Sequence, residues 1–552
     1  MKPLRLSLLA LAASLAASLT AALTPLSAQT NTDAYRLTNE SFTGTARYQA
    51  LGGAMGALGG DISSIKQNPA GLGVLRHSEV QFSYEFMFDS YQADWYNNRT
   101  STGYASQAKN LGMSHISLSL YFPPSGKSGK TSWSLAFAKS PRHSFNRDFR
   151  ISAGGSTPYS LADYAAAITP NQLTEDDLEE TYNFNPYSDT PAPWLAILGY
   201  NAGWTSPTGA GYYENAFLYN EDGKAIIGYP FDTNLHIKEY GQTDDYAFNF
   251  GLNWDDRAYF GMGLNFSSIL YKMESDYQET FTETDNLWLH NGLVSRGSAT
   301  SLSLGAIVRL SDYFRLGASY FSPMWTTITD TYYAEAGSHY EGIYDADGNL
   351  VNPEIATATP TDAATRYGLT GPSKFVFSAA AILGRYGLIS ADLELTNHSG
   401  MGFNRVSDIY DYSNSILHEY YRPVTLGVKV GAEGRVTNQL SLRAGFNYRQ
   451  SPVRGELTPV ANQTPVVVIE EAGTVPHYDL EGAYTNYTCG LGYRFTPAFY
   501  ADVAMVFGSR HYSFYPFSTL VDATGGVVVE STEPIRLTDK QINATFTLGY
   551  RF

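Results

Sequence analysis

The last eleven residues, Ile542 to Phe552, alternate strictly. Ile542, Ala544, Phe546, Leu548, Tyr550 and Phe552 share one parity, and Asn543, Thr545, Thr547, Gly549 and Arg551 share the other. A period of two over this length marks a β-strand with one apolar face. The pattern recurs. Val80, Phe82, Tyr84, Phe86 and Phe88 oppose Gln81, Ser83 and Glu85, and Tyr246, Phe248, Phe250, Leu252 and Trp254 oppose Asn249, Gly251 and Asn253. Scanning the chain this way predicts fourteen strands, near 79–88, 114–122, 131–139, 244–254, 258–273, 296–310, 313–323, 373–383, 387–397, 422–436, 439–450, 482–496, 499–511 and 537–552.

The connections alternate in length. Short ones fall at 123–130, 255–257, 311–312, 384–386, 437–438 and 496–498. Long ones fall at 89–113, 140–243, 274–295, 324–372, 398–421, 451–481 and 512–536. Short turns at one end and long loops at the other, with an even number of strands, are what an outer-membrane barrel requires. A soluble sandwich or propeller also alternates, but needs a polar outer face. Here the polar parity is small and glycine-rich, which suits a lumen lined closely by another element.

Composition supports this reading. Aromatic residues make up 14% of the chain, with 42 Tyr, as membrane–water girdles demand. Lys2 and Arg5 precede an apolar run to Leu23, and Ala28 follows small residues, so residues 1–28 read as a secretory signal peptide. Removing those two cations leaves 34 basic against 53 acidic residues. With no basic stripe, nucleic acid is not expected as a partner. One cysteine, Cys489, excludes an intramolecular disulfide framework, and ten scattered His offer no metal cluster. No Ser/His/Asp arrangement stands out, so no catalytic residue, metal or cofactor is expected. Asp-Gly pairs in Tyr219–Ile226 and Tyr344–Val351 read as hairpin turns rather than calcium loops.

The stretch GGAMGALGGDISSIKQNPAGLG, Gly52 to Gly73, precedes the first strand. It has no Gly-Lys-Ser/Thr and follows no strand, so it is neither a P-loop nor a dinucleotide fingerprint. Gly52, Gly56 and Gly60 at spacing four would give a helix a smooth face. Confinement inside a barrel would equally demand small residues and backbone freedom at Gly52, Gly53, Gly56, Gly59 and Gly60. Asn68-Pro69-Ala70 reads as the turn at the heart of this segment.

That stretch, with its preceding ARYQAL, resembles the N-terminal hatch of the FadL/TodX family of outer-membrane transporters of hydrophobic compounds. The paired runs Leu302–Pro323 and Ser373–Gly400 resemble that family's hairpins. The resemblance implies an all-β protein, a 14-stranded antiparallel transmembrane β-barrel. In it a hatch at 29–78 would close a barrel spanning 79–552, with 140–243 as its largest extracellular loop. It implies a monomer of the diderm outer membrane, with both termini periplasmic and lipid and lipopolysaccharide around it. It also implies passive uptake of long-chain fatty acids or aromatic hydrocarbons. Ligands would be captured by the loops, bound in the barrel, and released past the hatch or through a lateral wall opening. Tyr550 and Phe552 would form the C-terminal signal read by the barrel-assembly machinery. The alternative reading is a receptor or adhesin whose long loops bind haem or a host ligand.

Two sets of residues are candidates for ligand binding. By parity Arg309, Arg315, Lys429, Arg443, Arg494 and Arg551 face the lumen, and Lys429 and Arg443 are the best placed to hold a ligand carboxylate. Ser390, Asp392 and Glu394 also point inward on the strand preceding Lys429, and cross-strand or plug ion pairs are the bland alternative. In the longest loop, Trp194, Leu195, Ile197, Leu198 and Trp204 form an apolar patch in a region that should face water, suited to hydrophobic capture. The competing reading is a small core that holds the loop together.

Overall fold

The structure is a computed structural model. It describes residues 32–552 apart from 95–99, 104–105, 125–129, 155–158, 171–172, 209–210, 218, 222–223, 227–229, 282–283, 342, 345–349, 352, 362, 405–413, 415–416, 419, 455–472, 522–526 and 530–533. The expected signal peptide therefore lies outside the described residues.

Fourteen antiparallel strands form one closed barrel. They are β1 (Glu79–Asp94), β2 (Ser106–Phe122), β3 (Thr131–Ser144, continued by Arg147–Gly154), β4 (Asp232–Trp254), β5 (Ala258–Thr280), β6 (Asn286–Arg309), β7 (Phe314–Phe321, continued by Trp325–His339), β8 (Ala364–Thr370 and Ser373–Ile382), β9 (Gly387–Asn397), β10 (Val424–Arg435), β11 (Leu440–Arg449), β12 (Tyr478–Arg494), β13 (Phe499–Tyr515) and β14 (Ile535–Arg551). Closure is direct: β1 pairs with β14 from Glu79↔Arg551 to Asp94↔Arg536. Closure pairs the first strand with the last, so neither is left as a free outer edge.

The alternation read from sequence becomes inside and outside. On β1, Val80, Phe82, Tyr84, Phe86 and Phe88 are exposed, while Gln81, Ser83 and Glu85 are buried toward the lumen. An exposed apolar wall over a polar interior is the reverse of a soluble fold and needs a bilayer around it. The short connections lie at one end, the turn end. At one of them Asp255 and Asp256 adopt φ of 55° and 57°, and the Arg257 N–H closes this left-handed turn onto the Trp254 carbonyl at 3.1 Å.

The strands differ from expectation at the opposite, loop end. β2 to β8 run well beyond the predicted segments. Residues 147–154 and 232–243 are strand rather than loop, so the longest connection spans 155–231, not 140–243. The period-two signal fails there because outward positions become polar: Lys238, Lys272, Arg296 and Thr329 replace the phenylalanines and leucines below. Pairing goes on without apolar contrast between the faces.

Two bodies fill the barrel. From the turn end, residues 32–77 enter the lumen as a hatch built of helix α1 (Asp33–Arg36), helix α2 (Ala46–Ala50) and two 3₁₀ segments, Ile62–Lys66 and Pro69–Val74. From the loop end, the β3–β4 connection folds inward as a cap around helices α3 (Leu161–Ile168) and α4 (Trp194–Asn201). The cap shares one apolar core with Phe149, Leu235, Leu289, Ala336, Phe514 and Leu537 of the strand extensions.

Candidate functional site

The hatch is seated by side-chain loss on the wall and by hydrogen bonds. A Cβ on Gly261 would collide with the Pro69 carbonyl carbon, one on Gly305 with Asn68 Oδ1, and one on Gly317 would lie 2.6 Å from the Gly56 carbonyl oxygen. A second belt receives Leu51 and Gly52: a Cβ on Gly431 or Gly445 would strike their backbone. These five wall glycines are thus explained by contact with the hatch.

The hatch glycines answer to the backbone. Gly52, Gly53, Gly59 and Gly60 have φ of 62°, 78°, 61° and 73°, where a side chain is strained. They form turns after α2 and before Ile62, so the helical packing face at spacing four is not formed. Gly56 lacks a positive φ, but a Cβ there would collide with Ser378 Oγ of β8, and its N–H donates to Asp392 Oδ2 at 3.0 Å.

Asn68-Pro69-Ala70 lies in the first belt, against Gly261 and Gly305. Asn68, 1% exposed, caps the Pro69–Val74 segment. Its Oδ1 accepts from the Ala70 N–H at 3.0 Å. Its Nδ2 donates to the carbonyls of Gly56 (2.9 Å), Ala306 (3.1 Å) and Ala318 (3.4 Å), reaching both β6 and β7. Pro69, at the first position of its segment, gives up no bonded N–H. Further ties run from Ala46 N–H to Thr547, Thr488 to the Ala50 carbonyl, Arg315 to the Leu58 carbonyl, and Ser319 to the Gln67 carbonyl. Most are single polar bonds, individually worth about 0.5–1.5 kcal/mol.

Above the hatch body lies a waist of buried ion pairs. Lys374 Nζ is 3.1 Å from Glu40 of the hatch and 3.8 Å from Glu394 of β9, and Lys429 Nζ is 2.6 Å from the same Glu394. Arg449 bonds Glu481 and also Asn39 and the Glu40 carbonyl. Arg147 bridges Glu239 and Asp479, and Arg36 of α1 donates to Tyr271 at 2.6 Å. The cavity between the hatch and strands β2 to β12 is lined by five cations (Lys66, Arg142, Lys374, Lys429, Arg449) and three anions (Glu40, Asp245, Glu394), a surplus of two positive charges. Burial alone would raise the Glu40 carboxyl, but Lys374, Arg142 and Lys66 outweigh it and hold Glu40 well below the usual carboxylate range. Burial lowers the Lys66 ammonium. Burial also pushes Asp61, at the start of Ile62–Lys66, up to about 6 despite Arg47 nearby.

An apolar layer follows toward the loop end. Tyr35 and Leu37 of the hatch pack with Tyr271, Met273, Ile328, Tyr332, Tyr367, Phe403 and Tyr421 of the walls. It adjoins the charged waist, so the lumen offers an apolar and a cationic surface side by side.

The ring of ladders has a break. β2 pairs with β3 only from Ile116↔Lys139 to Phe122↔Trp133. Pairing of that face resumes at Gly103↔Ile151, between a separate strand Thr100–Gly103 and the outer part of β3. Among the described residues, β3 has no ladder partner on that side from Ser140 to Arg150. The β3–β4 register slips there by one residue: Thr243 pairs with His143 and Asp244 with Pro141, which leaves Arg142 of β3 as the extra residue of a bulge. The hatch takes up the released groups: Ser41 N–H donates to the Arg142 carbonyl at 2.8 Å, and Thr43 and Lys66 donate to the Pro141 carbonyl at 2.7 and 3.3 Å. Exposed Phe86, Phe88 and Leu111 flank the break on β1 and β2.

The remaining candidates are placed as follows. Lys429 lines the waist cavity but is engaged by Glu394. Arg443 does not reach that cavity: it bonds Glu433 at 2.7 Å and Asp502 at 2.5 Å nearer the turn end, where Arg47 also meets Glu433. Trp194, Leu195, Ile197, Leu198 and Trp204 are 7%, 2%, 0%, 0% and 0% exposed, which corrects the expected open patch. α4 is apolar all round and wedges between two cores, with Trp194 and Ile197 in the luminal layer and Leu195, Leu198 and Trp204 in the cap core. Tyr550 and Phe552 stand exposed on the outer wall at the turn end, with Phe552 N–H bonded to the Ser78 carbonyl at 3.0 Å.

Sequence reasoning missed Lys374 and Arg449, although parity could have found both. Phe375 and Phe377 point outward and so place Lys374 inward, and Arg449 shares the parity of Arg443. Among the described residues no group of three or more His, Cys, Asp or Glu side chains is placed to hold a metal.

No protein-family model matches the chain, and no curated protein matches it in sequence. In fold it is similar to solved structures. One is a Pseudomonas aeruginosa FadL homologue: 11% identity over 93% of this chain and 100% of that one, TM-score 0.48. Another is the P. putida toluene transporter TodX: 12% over 94% and 99%, TM-score 0.46. A third is the Ralstonia pickettii toluene transporter TbuX: 12% over 94% and 99%, TM-score 0.42. At such identities the likeness concerns fold alone, the closed barrel that the strand pairing establishes on its own.

Proposed function

We propose that this protein is an outer-membrane channel for the passive uptake of hydrophobic small molecules, with long-chain fatty acids and aromatic hydrocarbons as the candidate substrates. The observation that carries the reading is the break between β2 and β3, edged by hatch residues and opening beside an apolar luminal layer. A water-filled pore would not serve such ligands, because each exposed methylene is unfavourable by about 0.8 kcal/mol. A path that passes from the apolar layer to a slot in the wall keeps them out of water. The surplus of cations in the waist cavity favours ligands that carry a carboxylate. In this reading the cap receives the ligand outside, the apolar layer and waist hold it, and the bonds from Ser41, Thr43 and Lys66 to β3 set the width of the exit. The hatch seals the route for ions and water.

The test is direct. The protein is purified from outer membranes and its bound apolar molecules identified by mass spectrometry, and uptake of a panel of fatty acids and hydrocarbons is compared in a deletion strain and its complement. Absence of bound ligand together with unchanged uptake overturns the proposal. Bound haem or a macromolecular ligand on the cap would favour the receptor reading instead.

A further inference from the structure

The outer wall carries a feature that transport does not use. An aromatic row of Tyr246, Phe266 and Trp325 crosses β4, β5 and β7 in register, with Thr300 of β6 between them. These rings are 37%, 45% and 47% exposed and mark the upper limit of the apolar wall on this side. Above it the same strands present cations. Gln242, Leu270, Arg296, Thr329 and Arg366 form one cross-strand row, four residues beyond Trp325 along β7, or about 13 Å along the strand. Tyr240 and Lys272 begin the next row.

Arg296 and Arg366 are exposed and flank Thr329, so their Cα atoms stand about 10 Å apart, two strand spacings. Lys272 is diagonal to Arg296, and both Lys272 and Lys238 lie over the Tyr240 ring, at 5.2 and 5.8 Å from its centroid. Among the described residues none of these four cations has a carboxylate within salt-bridge distance, and the nearby Glu274 accepts a hydrogen bond from Tyr240 instead. The contrast with the adjoining sector is plain: there Lys139 is neutralised by Asp244 at 2.8 Å. In a chain of net charge −17, Lys238, Lys272, Arg296 and Arg366 outnumber the one carboxylate set among them, Glu274 across from Lys238, and this surplus just above an apolar wall requires an explanation.

We propose that this face binds a phosphorylated glycolipid of the surrounding outer leaflet, with Lys272, Arg296 and Arg366 holding its phosphates and Leu270 and the aromatic row holding its acyl chains. The chemistry matches on both halves. Guanidinium and ammonium groups bond phosphate with charge assistance, and the apolar row lies below them where acyl chains would be. Arg296 and Arg366 around the Thr329 hydroxyl make a cradle open to the membrane side. A lipid held here would brace the tall β4–β8 wall, which rises beyond the apolar zone.

The inference rests on the outer-membrane reading, and the two fail separately. A wild-type barrel that does not insert into bilayers removes the membrane reading. A barrel that inserts but ignores lipid phosphate removes only this site. The wild type and a K272Q/R296Q/R366Q variant are purified in mild detergent, stripped of lipid and titrated with lipopolysaccharide, its dephosphorylated form, or inorganic phosphate. Retained lipid is counted by native mass spectrometry. The expected result is tight retention of the phosphorylated lipid by the wild type, weakened about fivefold per cation removed, at roughly 1 kcal/mol each. The dephosphorylated lipid binds poorly, and inorganic phosphate does not displace the lipid. Equal retention by the variant, or equal binding of the dephosphorylated lipid, overturns the proposal. Displacement by millimolar inorganic phosphate overturns the lipid as occupant. Should the triple variant fail to fold, Lys272→Gln alone and a salt titration of the wild type replace it. Retention insensitive to both gives the same negative answer.

Discussion

The two bodies inside the barrel, hatch and cap, are held by different balances of contact. The hatch combines close backbone approach and single polar bonds (Gly261, Gly305 and Gly317 around Asn68, and Gly431 and Gly445 around Leu51) with small apolar clusters such as Ile62, Ile65 and Leu72 against Ala136, Ala138 and Ala247. The cap meets it through large apolar side chains, with Trp204, Phe217, Phe149 and Phe514 all buried. A seat built of polar bonds and small residues can shift by exchanging one polar partner for another, at the cost of uncovering its small apolar clusters. A packed apolar core cannot shift without opening a cavity. The difference makes the cap the more rigidly packed of the two bodies.

The most severe way to break this comparison is Gly305→Leu. The added side chain must occupy the place of Asn68, so the hatch should lose at least about 3 kcal/mol of seating, the upper end of the overpacking range. Hydrogen exchange of residues 44–75 should accelerate, and planar-bilayer recordings should show ion leak through a still-folded barrel. A sealed pore with normal exchange would mean the hatch does not depend on this contact.

Trp204→Ala is the matching change in the cap, expected to cost about 3–5 kcal/mol there. Proteolysis within 155–231 should appear while hatch exchange stays as in the wild type. Loss of hatch protection in the same variant would show the two bodies to be one cooperative unit.

Asn68→Ala removes a buried amide that serves two strands and the hatch itself, at about 1–3 kcal/mol. The barrel should assemble normally, as judged by heat-modifiable gel mobility, with partial leak. Complete failure of assembly would make the Asn68 turn a folding element instead.

Lys374→Gln sharpens the waist between the two bodies. It releases Glu40 of the hatch, while Glu394 of the wall keeps its closer partner Lys429. Affinity for carboxylate ligands should fall on the order of tenfold, the value of a charge-assisted bond, while neutral hydrocarbons bind as before. Equal losses for both would point to damaged shape rather than lost charge.

The smallest effect is a pH dependence. Asp61 in the hatch titrates near 6, above its ordinary 3.8, because burial disfavours its charge. The seated hatch therefore holds that proton more tightly than the released one. Its contribution to seating is complete below about pH 4 and is lost as pH rises through about 6. Exchange of residues 44–75 should slow on acidification across that window, and Asp61→Asn should flatten the profile. An unchanged slope in that variant would assign the dependence to another group.

Much of the barrel was legible because its lower wall faces lipid. Where Val80 to Phe88 or Ile542 to Phe552 alternate, a period of two can be read directly. On β4 to β7 the signal ends near Tyr246, Phe266 and Trp325, since Lys238, Lys272 and Arg296 lie beyond on the same outward parity. The cap misled for a related reason. Trp194 to Trp204 is apolar on every side, and a sequence cannot say whether such a segment lies open or is enclosed by two cores. Arg443 and Lys429 were both placed inward by parity, but their partners come from other strands, and only assembly shows that each is already engaged.

The sequence by itself determined the alternating faces, the short turns and the glycine-rich segment before the first strand, because each is a local demand on backbone or side-chain period. Tertiary structure alone decided which wall glycines receive which hatch residue, where the β2–β3 ladder opens, and which cations stay unpaired. Those outcomes depend on register and closure among strands hundreds of residues apart, and no local pattern encodes them.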